Sequence, residues 1–355
     1  MQETEARKQI RVGLVGYGAA GRVFHAPVIE AVPDLRLTKV VERRSDESRR
    51  RYPSVTVVRD AAELFDDDEI DLVVVATPND SHFDLALRAL EAGKHVVVDK
   101  PFTTSSAEAE ALIDLARAHG RIVTVNHNRR WDGDFLTVGR LLDSGLLGSL
   151  VEYESRFDRF RPEARPGAWR EGTGAGAGLL FDIGSHLVDQ ALVLFGLPLT
   201  ISAELRIERE GVEAVDSFDV VLEYDGPRVT LGAGMLAREP GPRFSLRGTR
   251  GSFVKYGLDP QEEALAGGRT PSEPGWGQEP RDRWGALDVE TGDLHVEGKV
   301  ETLAGAYPAF YTNVAEAITG RAELAVTPES ARETIRVIEL AIQSSAERRP
   351  IEYTP

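Results

Sequence analysis

A chain of 355 residues is long for one ordinary core, and 41% hydrophobic with 28% charged residues is the balance of a folded protein, not a disordered one. A formal net charge of −16 argues against nucleic acid and anionic membrane surfaces as partners, and the absence of cysteine excludes disulfides and thiolate metal sites. No apolar run reaches the ~18 residues of a membrane span, and MQETEARKQI at the N-terminus has no apolar core for a secretory signal, so a soluble cytoplasmic protein of two domains is expected.

The first 125 residues alternate between strand and helix patterns. IRVGLVG (10–16) is apolar and β-branched, and a glycine-rich turn then opens a helix from Arg22 to about Ala31. RLTKVVE (36–42), VTVV (55–58), DLVVVAT (71–77), HVVVD (95–99) and RIVTVN (121–126) read as further strands, with helices at 81–92 and 105–119. Several of these runs lack polar alternation, as strands covered on both faces do. The alternation predicts a doubly wound parallel sheet, a Rossmann nucleotide-binding domain over 1–125.

After residue 126 the pattern changes. Longer strands with mixed faces are expected at 150–160, 199–209, 216–225, 228–237 and 243–256, with helices near 134–144, 183–195, 308–319 and 328–346. The Gly-, Pro- and Glu-rich segment 259–286 reads as a long surface loop. Residues 126–355 are therefore expected to form an α+β domain for substrate binding and oligomerisation, built on a large, mostly antiparallel sheet. One face of that sheet would pack on helices and the other requires cover.

VGLVGYGAAGRVFHAP contains G-x-G-x-x-G directly after the first strand and at the opening of a helix. Gly16 permits the tight turn, Gly18 lets a pyrophosphate approach the backbone, and Gly21 lets the helix pack against the strand. Free N–H groups at the helix start suit phosphate, so Gly16, Tyr17, Gly18, Ala19, Ala20 and Gly21 are expected cofactor contacts. His25, farther along that helix, is read as packing or capping. Glu42 ends the second strand, where a carboxylate binds ribose hydroxyls and favours NAD. Arg43 and Arg44 follow, and arginines there suit the 2′-phosphate of NADP. The reading leans to NAD, because a carboxylate at the 2′ position repels a phosphate.

Thr77, Pro78 and Asn79 end the fourth strand, where ligands sit in such sheets, and are expected to touch the cofactor. His82 either touches it too or occupies the first turn of the next helix. The fifth strand runs straight into Asp99-Lys100-Pro101, which carries a charge to the end of a buried run and stops the ladder with proline. His127, Asn128 and Arg129 end the sixth strand. No H-E-x-x-H or other ligand spacing appears, so no metal is expected.

The Rossmann turn, the acidic-Lys-Pro strand end and a later D-x-G-x-H resemble the Gfo/Idh/MocA oxidoreductases, which are NAD(P)-dependent dehydrogenases and reductases of sugars, inositols and related polyols. GYGAAGRVFHAP, ATPNDSHF, EAGKHVVVDKPFT, HNRRWDGDFLTV, FDRFRP, FDIGSHLVDQALVLFGLP and RGTRGSFVKYGLDPQE occur in order over nearly the whole chain and are similar to the branch containing scyllo-inositol dehydrogenases. The resemblance places Lys100 beside nicotinamide and the substrate hydroxyl, with a bond to Pro101 that is often cis, and assigns the later acid and histidine to Asp182 and His186. Asp99 stands where Glu is more frequent. Gly172, Gly174, Gly176 and Gly178 alternate where a tighter glycine cluster is usual.

Asp182 and His186 are spaced i, i+4, which places both on one face if the helix starts near Asp182. Oxidation of a secondary alcohol needs a base for the hydroxyl proton, and imidazole suits exchange near neutrality. Asp182 either binds a substrate hydroxyl or orients His186. Lys100 either relays the proton or hydrogen-bonds the reacting oxygen. Lys100, Asp182 and His186 are thus the expected catalytic set. Cofactor contacts extend to Asp99, Lys100, Asn128, Trp169 and Arg170, and substrate contacts to Lys100, His127, Asp158, Arg159, Asp182 and His186; Tyr307 and Tyr311 are further candidates for the cleft. The expected protein is an NAD(P)-dependent dehydrogenase acting on CH–OH donors, with scyllo-inositol the first substrate to test and an aldose or deoxysugar the alternative. A nicotinamide or sugar sensor without turnover is the alternative of another class. By resemblance a homodimer or homotetramer is expected.

Overall fold

The computed structural model describes residues 9–165 and 167–354. Residues 1–8, most of the stretch read for a secretory signal, lie outside the described residues. The chain divides into two compact units. The first runs to Asn128 and takes back Gln261–Trp276 and Ala306–Arg332; the second comprises Arg129–Pro260, Gly277–Gly305 and Glu333–Pro355.

The first unit holds a six-stranded sheet of β1 (Ile10–Val15), β2 (Leu35–Val41), β3 (Thr56–Val58), β4 (Leu72–Val75), β5 (His95–Val98) and β6 (Val123–Val125). The strands are all parallel in the order β3-β2-β1-β4-β5-β6. Leu72 to Val75 and Val96 to Val98 are buried throughout, which is why those runs carry no polar alternation. The strand order reverses beside β1, which opens a crevice at the C-terminal ends of β1 and β4.

The helix expected from Arg22 begins earlier and wider. A π-helical turn, Ala20–His25, leads into α1 (Ala26–Glu30), and His25 at the junction is completely buried. Short helices α2 (Glu47–Arg51) and α3 (Ala62–Phe65) flank β3. α4 (His82–Glu91) follows β4, and α5 (Ser106–Ala118) follows β5. A side-chain cap starts α5: Ser105 Oγ accepts the Glu108 N–H, and the Glu108 carboxylate accepts the N–H of Thr104, the residue before the cap.

In the second unit, α6 (Gly133–Asp143) leads to β7 (Leu150–Arg156), and α7 (Ser185–Phe195) leads to β8 (Thr200–Arg206), β9 (Ser217–Glu223) and β10 (Arg228–Gly234). The expected single strand 243–256 is instead a hairpin of β11 (Phe244–Gly248) and β12 (Gly251–Lys255), because the chain reverses at Thr249–Arg250. Segment 259–286, read as a surface loop, contains α8 (Gln261–Ala266) in the first unit. There Gln261 is buried, and its side-chain oxygen accepts the Trp276 indole N–H and the Tyr307 backbone N–H. A hairpin of β13 (Gly285–Thr291) and β14 (Leu294–Val300) follows that the expected strands omit, although LDVE and LHVE alternate and Gly292-Asp293 marks the turn. α9 (Pro308–Ile318) belongs to the first unit, α10 (Pro328–Glu347) ends in the second, and β15 (Ile351–Glu352) pairs with β8.

The nine-stranded sheet has the order β14-β13-β12-β11-β7-β10-β9-β8-β15 and is antiparallel except where β10 meets β7. Phe135, Tyr153, Leu187, Phe218, Leu246 and Ile338 belong to the core on its helix-covered face. Among the described residues, no helix is long and apolar enough to cross a membrane.

Candidate functional site

The glycine turn is built as its three positions require. Gly16 has φ +98°, and a Cβ there would lie 2.5 Å from the Ala76 carbonyl oxygen. A Cβ on Gly21 would lie 2.1 Å from the Gly16 carbonyl oxygen, so the helix meets the strand without room for a methyl group. Gly18 is the opposite case: its Cβ would meet nothing within 4 Å. That open side faces a cleft of about 620 Å³ lined by Gly16, Tyr17, Gly18, Glu42, Arg43, Arg44 and Thr77, with Ser45, Arg59 and Arg88 added by the fold. Ala19 is exposed, and Ala20 starts the π-helical turn. Burial pushes the Tyr17 phenol up to about 12, so it stays protonated beside the cleft. A clear approach to backbone N–H groups, flanked by guanidinium groups, fits a dinucleotide phosphate.

Glu42 does not present a free carboxylate. It is buried and accepts the Ser45 hydroxyl, the Glu47 N–H at 2.9 Å and the Ser48 N–H at 2.8 Å. Burial alone would raise its carboxyl, but these hydrogen bonds outweigh it and hold the group below the ordinary carboxylate range. Arg43 and Arg44 are exposed on the same cleft. Arg59, which sequence reasoning missed, donates to the Glu42 and Ser45 carbonyls and pairs with Asp46, so it braces this loop from below.

At the end of β4, the Thr77 and Ser81 hydroxyls share a 2.7 Å hydrogen bond, Pro78 is exposed and Asn79 is buried. His82 is completely buried. Its Nδ1 lies 2.8 Å from the Pro101 carbonyl oxygen and its Nε2 3.1 Å from that of Thr77; burial favours the neutral ring, whose single N–H donates to one of these two strand-end carbonyls. Asp99 continues the β5 ladder by donating its N–H to Val75 O, and its side chain accepts the Lys100 N–H at 2.9 Å. Lys100 is half-buried and its bond to Pro101 is cis. His127 and Asn128, just beyond β6, are buried.

The second unit places Asp182 in a π-helical turn, Leu180–Gly184, that runs into α7 with His186 in its first turn. Such turns are frequent at functional sites. Asp182, Arg159, Trp169 and Arg170 line one small cavity of about 100 Å³, with Arg161, Arg165 and the buried Arg209. Arg170 Nε lies 3.5 Å from Asp182, and its guanidinium stacks 4.5 Å over the Trp169 ring. In the glycine run, Gly176 and Gly178 take positive φ, which lets Leu179 donate to Val215 O as the π-helical turn begins. His186 is buried. One turn on, Asp189 holds Arg130 with two hydrogen bonds, while Gln190 donates to Arg129 O and accepts from Arg243. These anchors fix the helix that carries His186. Asp158, expected to meet substrate, is paired with Arg156 at 3.0 Å, and Arg156 also holds Asp219.

The glycine turn, the clear side of Gly18 and the arginine-flanked cleft define a Rossmann dinucleotide-binding protein. The family model for the oxidoreductase NAD-binding Rossmann fold matches residues 10–127, and the model for the oxidoreductase C-terminal alpha/beta domain matches residues 140–353. The chain is 46% identical over 339 residues to Escherichia coli YdgJ, named an uncharacterized oxidoreductase, covering 96% of this chain and 97% of that one. It is 38% identical over 342 residues to scyllo-inositol 2-dehydrogenase (NADP(+)) IolW of Bacillus subtilis, covering 96% and 95%. The solved structure of the oxidoreductase yvaA from Bacillus subtilis superposes with a TM-score of 0.95 at 38% identity, covering 98% of this chain and 99% of that one. The chain belongs to the Gfo/Idh/MocA oxidoreductase family and is an oxidoreductase.

Proposed function

We propose that this enzyme is an NADP-dependent dehydrogenase, or reductase in the reverse direction, acting on a secondary alcohol of a cyclic polyol, with scyllo-inositol the first substrate to test. The observation that carries the cofactor choice is the engaged carboxylate of Glu42. A ribose-binding acid was the reason to favour NAD; with that acid turned onto its own loop, Arg43 and Arg44 are the groups left to meet the 2′ position, and they favour a phosphate. The name of IolW, which gives both scyllo-inositol and NADP, supports the same reading.

Bound nicotinamide supplies or accepts the hydride. In this proposal His186 takes the hydroxyl proton, Asp182 binds a neighbouring substrate hydroxyl, and Lys100 donates a hydrogen bond to the oxygen as negative charge develops on it. Trp169, Arg170, Asn128, His127 and Arg159 are assigned to binding. The assembly proposed is a homo-oligomer; exposed Val151 and Ile207 are apolar positions such contacts would cover.

The test is NADPH and NADH formation with a panel of inositols and aldoses. Turnover of an inositol with NADP is the expected result. Turnover of aldoses alone would move the substrate to the sugar class, and tight cofactor binding with no turnover of any candidate would make the protein a sensor.

A further inference from the structure

His25 lies beyond the reach of solvent in the first unit. Its Nδ1 is 2.6 Å from the Tyr311 hydroxyl, and its buried Nε2, which makes no hydrogen bond, faces Asp99 Oδ1 at 3.4 Å as an electrostatic contact. The two rings meet edge to face with centroids 6.1 Å apart. Three segments remote in sequence supply the group: the π-helical turn after the glycine loop, the end of β5, and α9. An apolar pair would fill such a space without the cost of burying polar atoms.

The partners constrain where the ring proton sits. Asp99 can only accept, so a neutral ring with its proton on Nε2 turns an N–H toward the carboxylate without completing a hydrogen bond; Nδ1 then accepts, and Tyr311 donates. Burial and the nearby Asp99 charge push the Tyr311 phenol well above its ordinary value, which keeps that donor in place. For Asp99, burial opposes the charge, but His25, Lys100 and His82 outweigh burial and hold the carboxyl below the usual range. The titratable groups facing Asp99 are thus His25 after the glycine turn, Tyr311 on α9, His82 on α4 and Lys100 itself.

We propose that Tyr311 and His25 are positioning residues, forming a buried Tyr311–His25–Asp99 chain that holds the Asp99 carboxylate and, through its bond to the Lys100 N–H, the backbone that presents Lys100. This rests on the assignment of Lys100 to the reaction. Beyond orientation, the chain keeps a fixed negative charge one residue from the lysine. Without the His25 N–H, the Asp99 carboxyl rises, and the acid limb of the kcat profile moves to higher pH.

The experiment compares kcat, cofactor KM and pH profiles of the wild type, His25→Leu, His25→Gln and Tyr311→Phe, with thermal midpoints as a folding control. His25→Leu is expected to lower kcat roughly tenfold, less than loss of a direct acid–base group. Cofactor KM stays within about twofold. Its acid limb moves up in pH, His25→Gln restores part of the loss because its amide can replace the Nε2 donor, and Tyr311→Phe falls between. An unchanged pH profile, or equal losses in Leu and Gln variants, would overturn the proposal. Nitrogen–proton correlation spectra of the histidine rings in the intact wild type give a readout independent of turnover and of variant folding. An Nε2–H tautomer at His25 upholds the chain and an Nδ1–H tautomer refutes it. If the wild type turns over no substrate, the functional assignment fails while the tautomer still decides whether the chain exists.

Discussion

The Glu42 carboxylate accepts the backbone N–H of Ser48 at 2.8 Å, so the acid at the end of the second strand closes its own loop and opens the start of α2. Position along the chain marks Glu42 as a ribose ligand; its carboxylate also bonds its own loop. The difference sets the first expectation. Glu42→Gln should cost about 1–3 kcal/mol at neutral pH, the range for losing hydrogen bonds to a buried charge. Because the folded carboxyl lies below its unfolded value, its contribution is present above roughly pH 4.3 and is lost as pH falls through the folded pKa. Urea unfolding across a pH series should show the gap between wild type and variant closing only in acid. A gap independent of pH would mean that the carboxylate's charge is not what stabilises the loop.

In the proposed function Arg43 and Arg44 carry the cofactor preference. Replacing both with serine should raise the KM for NADP roughly tenfold or more while leaving that for NAD little changed, as expected for loss of guanidinium–phosphate pairs. Equal changes for both cofactors would place these arginines outside the 2′ site.

Lys100→Ala and His186→Ala should each lower kcat by roughly 10²-fold or more while cofactor binding, followed by fluorescence, survives. Unchanged turnover in both variants would remove these residues from the proposed chemistry.

The last two glycines of the turn separate folding from binding. Gly21→Ala drives a methyl group to within 2.1 Å of a backbone oxygen, so it should destabilise the first unit as well as weaken the cofactor. Gly18→Ala meets no atom within 4 Å, so its thermal midpoint should stay near wild type while cofactor Kd rises. Normal cofactor affinity in Gly18→Ala would show that the pyrophosphate does not approach this side of the turn.

Much of the first unit is legible along the chain because its signals are local. Apolar runs such as Val96 to Val98 declare strands covered on both faces, and G-x-G-x-x-G declares the turn. The second unit is less legible where charge interrupts the pattern. The β13–β14 hairpin does carry strand alternation, Asp288, His295 and Glu297 against Val289 and Val296, and a Gly292-Asp293 turn, but β14 is exposed along almost its whole length, so no buried apolar run sets it apart. Segment 259–286 misleads for the opposite reason: glycine and proline punctuate it, yet Gln261 within it is buried and bonded.

The sequence by itself determined that this is a Rossmann oxidoreductase with Lys100 delivered at a strand end, because those features depend on residues within one strand, one turn or one helix. Tertiary structure decided which neighbours the polar groups there meet. Whether Glu42 meets ribose or its own loop, whether Asp158 is free or held by Arg156, and whether His25 stands alone or between Tyr311 and Asp99 all depend on atoms brought within a few ångströms by packing. For His25 and Tyr311, the partners are separated by 286 positions in the chain, a relationship that no spacing rule encodes.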